Sequence, residues 1–277
     1  MTIAFEHVAK TYPDGTVGVG DVTLTVRSGE LMVLVGPSGS GKTTLMRMIN
    51  RMVEPTGGRV LIDGEDVRGR DPIALRRSIG YVIQGGGLLP HRTVVDNIAT
   101  VPMLNGVRRS RARRRAMELL DKVGLDASLA GRYPSQLSGG QRQRVGVARA
   151  LAADASILLM DEPFSAVDPV VRRDLQHEVR RVQRETGATV VFVTHDINEA
   201  LFLADRIALL GKGGVIEQVG TPAQILNEPA NDAVRAFVEA GRPSVDPGVD
   251  PGVDGAAAPA AAATATESHL QLIGEGA

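Results

Sequence analysis

The sequence predicts an α/β fold built on a parallel sheet, and three observations carry that expectation. An all-apolar run, Leu31 to Val35, leads directly into a Gly-rich turn and then a helical pattern. Apolar runs recur at Ile157 to Met160 and Val190 to Thr194, with the amphipathic segment Val171 to Glu185 between them. Two β-rich stretches bracket a region, about residues 85–153, in which β signals fade. Strands apolar on both faces and alternating with helices belong to a parallel sheet covered on both sides.

The elements follow in order. Ile3 to Tyr12 and Val22 to Arg27 read as short strands ahead of the buried run. Thr43 to Met52 carries Leu45, Met46, Met48, Ile49 and Met52 at helical spacing, and Arg59 to Ile62 before Asp63-Gly64 reads as a strand ending in a turn. Ile79 to Gln84 is a further strand. In the region that follows, Arg111 to Val123 and Gln141 to Ala152 look helical, which predicts an inserted helical subdomain. Arg206 to Leu210 and Val215 to Gln218 flank Gly211-Lys-Gly-Gly214, the pattern of a hairpin. An ordered domain is expected over residues 1–242. Residues 243–277, Val-Asp-Pro-Gly-rich and then Ala-rich, have few bulky apolar groups to offset ordering entropy and are expected to form a disordered tail.

Composition narrows the classes. At 277 residues, 43% hydrophobic and 23% charged, the chain is expected to be soluble and globular rather than wholly disordered, collagen-like or membrane-embedded. The absence of cysteine excludes a disulfide framework, a thiolate metal site and a Cys nucleophile. Met1 to His7 lacks a basic start followed by an apolar run, and no stretch approaches the roughly 18 apolar residues of a spanning helix. The last 35 residues hold Asp246, Asp250, Asp254, Glu267 and Glu275 and no Lys or Arg, so the preceding body is mildly basic although the whole chain has a formal charge of -1.

Two motifs point to phosphate chemistry. Gly36-Pro37-Ser38-Gly39-Ser40-Gly41-Lys42-Thr43-Thr44 fits G-x-x-x-x-G-K-[ST] between a strand and a helix. There the glycines let backbone N–H groups converge on phosphates, Lys42 meets the β- and γ-phosphates, and Thr43 is a ligand for Mg²⁺. Ile157-Leu-Leu-Met160 then ends in Asp161-Glu162 at the carboxyl edge of a strand, where α/β sheets bind ligands. Adjacent residues of a strand point to opposite sides, so Asp161 is expected to hold Mg²⁺ through water and Glu162 to act as general base towards an attacking water. Without the Gly-rich turn, the paired acids before Pro163 could equally be a solvated turn or a helix cap.

Leu137-Ser138-Gly139-Gly140-Gln141, followed by Arg142-Gln-Arg-Val-Gly-Val-Ala-Arg-Ala, is the most discriminating stretch. It resembles the ATP-binding cassette of ABC transporters, whose signature is LSGGQ ahead of a helix. The resemblance covers residues 1 to about 240 and implies a P-loop NTPase fold with a RecA-like core, an antiparallel β subdomain and an inserted helical subdomain. Ser138 and the two glycines at a helix start make a second anion cradle, so two half-sites imply two chains. By the same resemblance Tyr12 stacks on adenine, Gln84 is the Q-loop glutamine sensing Mg²⁺, Asp168 in Ser165-Ala166-Val167-Asp168 is the D-loop aspartate, and His195 is the H-loop histidine at the γ-phosphate. The family more often has Leu where Val167 stands. Taken singly, Tyr12 reads as packing, Gln84 as surface and His195 as a strand-end histidine bonded to backbone. His7, His91, His177 and His269 show no metal-ligand spacing.

The resemblance implies ATP and Mg²⁺ as cofactors, a homodimer or a heterodimer with a paralogous cassette, transmembrane permease subunits, an extracytoplasmic solute-binding protein reached indirectly, and a place on the cytoplasmic face of the cell membrane. Ile79-Gly-Tyr-Val-Ile-Gln84, Gly87-Leu-Leu-Pro-His91 and Gln218-Val-Gly-Thr-Pro look like importers of quaternary-amine osmoprotectants such as glycine betaine, choline or carnitine. An importer of amino acids or another small solute is the alternative, and a non-transport ABC-type ATPase stands behind it, since neither a second cassette nor a long heptad insertion is present. Many such importers continue into paired CBS domains; residues 243–277 are too few and too polar to form one, so osmotic gating through such a module is not expected of them. The arginine-rich run Arg108 to Arg115 reads as a solvated helix face or a contact with lipid headgroups or permease rather than a nucleic-acid patch.

Overall fold

The computed structural model describes residues 1–83 and 85–241. Strands β1 (Ile3–Thr11), β2 (Val17–Val26) and β3 (Leu31–Val35) precede helix α1 (Lys42–Ile49). Strands β4 (Gly57–Ile62) and β5 (Glu65–Asp66), helix α2 (Pro72–Ser78) and strand β6 (Ile79–Val82) follow. Four helices come next, α3 (Val94–Ile98), α4 (Thr100–Leu104), α5 (Arg109–Lys122) and α6 (Gly139–Leu151). The chain then alternates through β7 (Ile157–Asp161), α7 (Pro169–Thr186), β8 (Thr189–Thr194), α8 (Ile197–Leu203) and β9 (Arg206–Leu210). It closes with β10 (Ile216–Gly220), α9 (Pro222–Asn227) and α10 (Asp232–Ala240).

The strands form two sheets. One is antiparallel, in the order β2-β1-β4-β5, and the other runs β10-β9-β3-β8-β7-β6, parallel except for the β9/β10 pair. The parallel α/β core anticipated from the apolar runs is present, and its centre is β3, paired with β8 on one side and β9 on the other. All five residues of β3 and all six of β8 are buried. Each large aliphatic side chain so buried contributes roughly 1.5–3 kcal/mol of transfer free energy, so the two strands are rigid supports for the loops at their carboxyl ends. Two apolar clusters flank this sheet. One contains Val33, Val82, Phe164 and Phe192 and joins the helices α3, α5 and α6; the other contains Leu34, Met46, Leu159 and the inner faces of β1 and β2.

Several boundaries differ from the sequence expectation for identifiable reasons. β2 begins at Val17, not Val22, because Val17 and Val19 pair with Thr11 and Lys10 of β1 despite the intervening glycines. α1 stops at Ile49, and Arg51 adopts φ 54°, a left-handed conformation that ends the helix before Met52. The short helices α2, α3 and α4 carry too few turns to show periodicity, yet Asp71 and Thr93 cap the first two through their side chains. β6 ends at Val82, shorter than the expected Ile79 to Gln84, since Ile83 is already outside the strand; Gln84 itself and the expected tail lie outside the described residues. Among the described residues, no helix is long and apolar enough to cross a membrane.

Candidate functional site

The Gly-rich turn lies where β3 delivers it, and α1 starts at Lys42 immediately behind it. Gly41 takes φ 84°, and a Cβ there would strike the carbonyl oxygen of Gly18, so the turn closes against β2 only with glycine at this position. The Lys42 ammonium is buried and donates to the carbonyls of Gly36 and Pro37, both at 2.8 Å, and to Ser40 Oγ at 3.4 Å. Burial pulls its pKa below the ordinary lysine value, with the charges of Glu162 and Asp161 opposing the shift. A cavity of about 320 Å³ opens over this turn, lined by Tyr12, Val17, Ser38, Lys42, Thr43 and Glu162 among others. Tyr12 closes one side, its hydroxyl 3.2 Å from Thr44 Oγ1 and its ring under Lys10 Nζ at 5.5 Å.

The two acids take different partners, Asp161 as the last residue of β7 and Glu162 just beyond it. Asp161 is buried, and its Oδ1 accepts a 2.7 Å hydrogen bond from Thr43 Oγ1 while its Oδ2 faces Arg47 Nη2 at 3.3 Å. Burial pushes the Asp161 carboxyl above the usual carboxylate range, and Thr43 and Arg47 pull it back. Glu162 turns the other way, with Oε1 3.1 Å from His195 Nδ1. Its backbone takes φ 44°, a strained conformation for a residue with a side chain. That backbone is tied down: the N–H donates to Val193 O at 3.0 Å, and the carbonyl accepts from Gln143 Nε2 at 2.8 Å, Ser165 Oγ at 3.1 Å and the Ser165 N–H at 3.3 Å.

Ser138, Gly139, Gly140 and Gln141 open α6 as a capping box. Ser138 Oγ accepts from the Gln141 N–H at 3.2 Å, and Gln141 Oε1 accepts from the Ser138 N–H at 2.9 Å. A Cβ on Gly140 would lie 2.9 Å from Ala166 O, so glycine permits the close approach of α6 to the turn before Asp168. Asp168 caps α7, its Oδ1 accepting from the Val171 N–H at 3.0 Å. None of Ser138, Gly139, Gly140, Gln141 or Asp168 lines the cavity over the Gly-rich turn. The structure therefore brings Tyr12, Lys42, Thr43, Thr44 and Glu162 to one cavity, with Asp161 bonded to Thr43 and His195 to Glu162, and leaves the α6 start and Asp168 as separate features. Gln84 lies outside the described residues.

Sequence reading passed over the supports. Arg47 spans Asp161 and the Tyr81 hydroxyl, at 3.3 and 3.2 Å. Gln143, buried on α6, braces the backbone of Glu162, and Arg149 donates to the carbonyls of Gly86 at 3.0 Å and Gly87 at 2.7 Å, fixing the segment after Gln84. The available signal was placement: Gln143 and Arg149 lie on the helix that the LSGGQ stretch opens.

The ABC transporter family profile matches residues 19–165, more than half of the chain, spanning the Gly-rich turn, the LSGGQ stretch and the Asp161-Glu162 pair. The chain belongs to the ABC transporter family. Within that family it is 50% identical over 240 residues to the carnitine transport ATP-binding protein OpuCA of Listeria monocytogenes, covering 87% of this chain and 60% of that protein. It is 51% identical over 235 residues to the glycine betaine uptake system ATP-binding protein YehX of Escherichia coli, covering 85% of this chain and 76% of that one. The chain thus spans about 60% of the length of the OpuCA protein it matches. In three dimensions it resembles the ATP-binding cassette MJ0796, solved as a dimer in a post-hydrolysis state with ADP and Pi, with TM-score 0.75 and 35% identity over 79% of this chain and 98% of the cassette.

Proposed function

We propose that this ABC family member is the ATP-hydrolysing subunit of an importer for quaternary-amine osmoprotectants such as glycine betaine, choline or carnitine. The observation that carries the hydrolytic reading is the arrangement at the end of β7, where Asp161 is bonded to Thr43 and Glu162, lining the cavity over the Gly-rich turn, is paired with His195. The cargo class rests on relatives about 50% identical, named for carnitine transport and glycine betaine uptake.

In this reading Lys42 and the N–H groups of the turn bind the β- and γ-phosphates, and Tyr12 lies under the adenine. The donor set suits Mg²⁺: a hydroxyl and a carboxylate oxygen 2.7 Å apart, hard and few, leave room for water ligands, and no cluster of three or more His, Cys, Asp or Glu among the described residues competes. Thr43 and, through water, Asp161 would hold the ion together with Gln84; when bound it neutralises charge between the phosphates. Glu162 Oε1 orients the attacking water and accepts its proton, while His195, fixed through Nδ1, presents its other ring edge to the γ-phosphate. Phosphoryl transfer of this kind needs positioning and charge stabilisation more than covalent chemistry.

Two copies close head to tail, each supplying Ser138, Gly139, Gly140, Gln141 and Asp168 to the nucleotide of the other, and closure drives transmembrane permease subunits at the cytoplasmic face of the cell membrane. A paralogous cassette could take the second place, and an extracytoplasmic solute-binding protein is engaged only through the permease. Nucleic acid is not part of this reading: in the arginine run, Arg109 and Arg113 pair with Asp96 and Arg115 with Glu118. Residues 1–242 form the ATPase domain, with about residues 85–153 inserted as its helical subdomain, and residues 243–277 form a low-complexity tail. Uptake of labelled betaine, choline and carnitine in a deletion strain tests the cargo. Loss of any one supports it, and undiminished uptake of all three points to amino acids or another small solute.

A further inference from the structure

We propose that Glu199 is a positioning residue for His195, and that with Arg172 it ties the turn ahead of Asp168 to the turn carrying the histidine. The inference rests on the reading that Glu162 and His195 act on ATP.

Glu199 lies on α8, four residues beyond His195, and is only 8% exposed. A carboxylate so buried needs partners, because desolvation is offset only by hydrogen bonds and opposite charge. It has both. Oε2 accepts a 2.7 Å bond from Thr194 Oγ1, and Oε1 lies 3.9 Å from Arg172 Nε. Thr194 Oγ1 accepts in turn from the Asp196 N–H at 3.0 Å, so the residues on both sides of His195 are held by one buried acid. Arg172 Nε, itself buried, has no hydrogen-bond partner among the described residues; it faces the charge of Glu199, and Nη2 donates to Val167 O at 3.0 Å.

The result is a continuous path from the Val167 carbonyl through Arg172, Glu199 and Thr194 to the Asp196 amide. A cavity of about 70 Å³ lies along it, lined by Arg172, Glu199, His195, Glu162 and Ser165. Both ends belong to parts with assigned roles, since Val167 precedes the aspartate offered to the second copy and His195 meets Glu162. A displacement of the Asp168 turn on dimer closure therefore reaches His195 through side chains rather than through the sheet. Burial raises the Glu199 carboxyl above its ordinary value, with Asp196 adding to the shift and Thr194, Arg172 and His195 opposing it, in keeping with an acid held by few, specific partners.

The test is a kinetic cycle on the purified full chain: wild type, Glu199→Ala, Glu199→Gln, His195→Ala and the double variants, with ATP affinity measured calorimetrically. Glu199→Ala should lower kcat about tenfold or more while KM for ATP stays within about twofold, and Glu199→Gln, which keeps the bond from Thr194 but loses the charge facing Arg172, should recover part of the loss. In the His195→Ala background neither change should lower the residual rate further, because Glu199 acts through the histidine. Losses that multiply in that background, or an unchanged kcat in Glu199→Ala, overturn the inference. Should Glu199→Ala not fold, Glu199→Gln and Arg172→Met are judged on the same cycle: Arg172→Met must lower kcat in the wild-type background and not in His195→Ala. An inactive wild-type chain contradicts the ATPase reading itself, whereas an active chain indifferent to Glu199 contradicts this inference alone.

Discussion

Thr43 Oγ1 donates a 2.7 Å hydrogen bond to Asp161 Oδ1, joining the first residue after the phosphate-turn lysine to the end of a strand 118 positions later. In the proposed function this bond sets side by side the hydroxyl that would ligate the cation and the carboxylate that would hold it through water, while Arg47 engages the second carboxylate oxygen. Asp161→Asn should leave metal-free ATP binding within about threefold of wild type and abolish its strengthening by Mg²⁺. Calorimetric titration with and without Mg²⁺ checks this, and an intact Mg²⁺ effect in the variant would remove Asp161 from the cation site.

Burial raises the Asp161 and Glu199 carboxyls above their ordinary values of 3.8 and 4.5. The folded chain therefore binds protons at these sites more tightly than the unfolded chain. Each carboxylate destabilises the fold at pH above its raised pKa, and that penalty is relieved as pH falls through the raised value towards 4.5 or 3.8. Glu199→Gln should accordingly gain stability relative to wild type near pH 8, the gain shrinking as pH approaches 4.5. Urea unfolding across that range measures it, and a difference that grows on acidification would reverse the sign.

Ser138 does two jobs, capping α6 and, in the proposed dimer, meeting the second nucleotide. Ser138→Ala removes the acceptor for the Gln141 N–H and should cost about 1 kcal/mol of stability. Ser138→Asn, able to cap, should restore the stability without restoring the ATPase rate. Chemical denaturation alongside the rate assay separates the two effects.

Phe192 on β8 is fully buried against Phe164, their ring centroids 5.5 Å apart. Phe164 follows Glu162 by two residues, so this contact seats the strained turn as well as filling the core. Phe192→Ala should destabilise by about 3–5 kcal/mol. Phe192→Leu should retain the fold, and its kcat should fall more than its ATP affinity if packing under Glu162 sets the geometry.

The chemistry was legible in the sequence where it is local. Lys42 and Thr43 announce themselves by a nine-residue turn, Asp161 and Glu162 by an apolar strand that ends in acid, and Ser138 by the helix it starts. Strand alternation predicted different surroundings for Asp161 and Glu162, and the two do take different partners, Thr43 and His195, but β7 ends at Asp161 and it is the left-handed backbone of Glu162, not strand pleating, that sets its direction. The supports were not legible, because Arg47, Gln143, Arg149, Arg172 and Glu199 act across elements whose pairing no local pattern specifies. The same limit hid the start of β2, which depends on register with β1, and the helices α2 to α4, too short for a period to emerge.

The most direct test of a nucleotide shared between two copies is sedimentation of Glu162→Gln with saturating ATP and Mg²⁺. The variant keeps the phosphate turn, the Thr43–Asp161 bond and the α6 start while removing the base, so ATP should remain uncleaved and hold a dimer that ADP does not. A chain that binds ATP yet sediments as a monomer with either nucleotide would contradict the account.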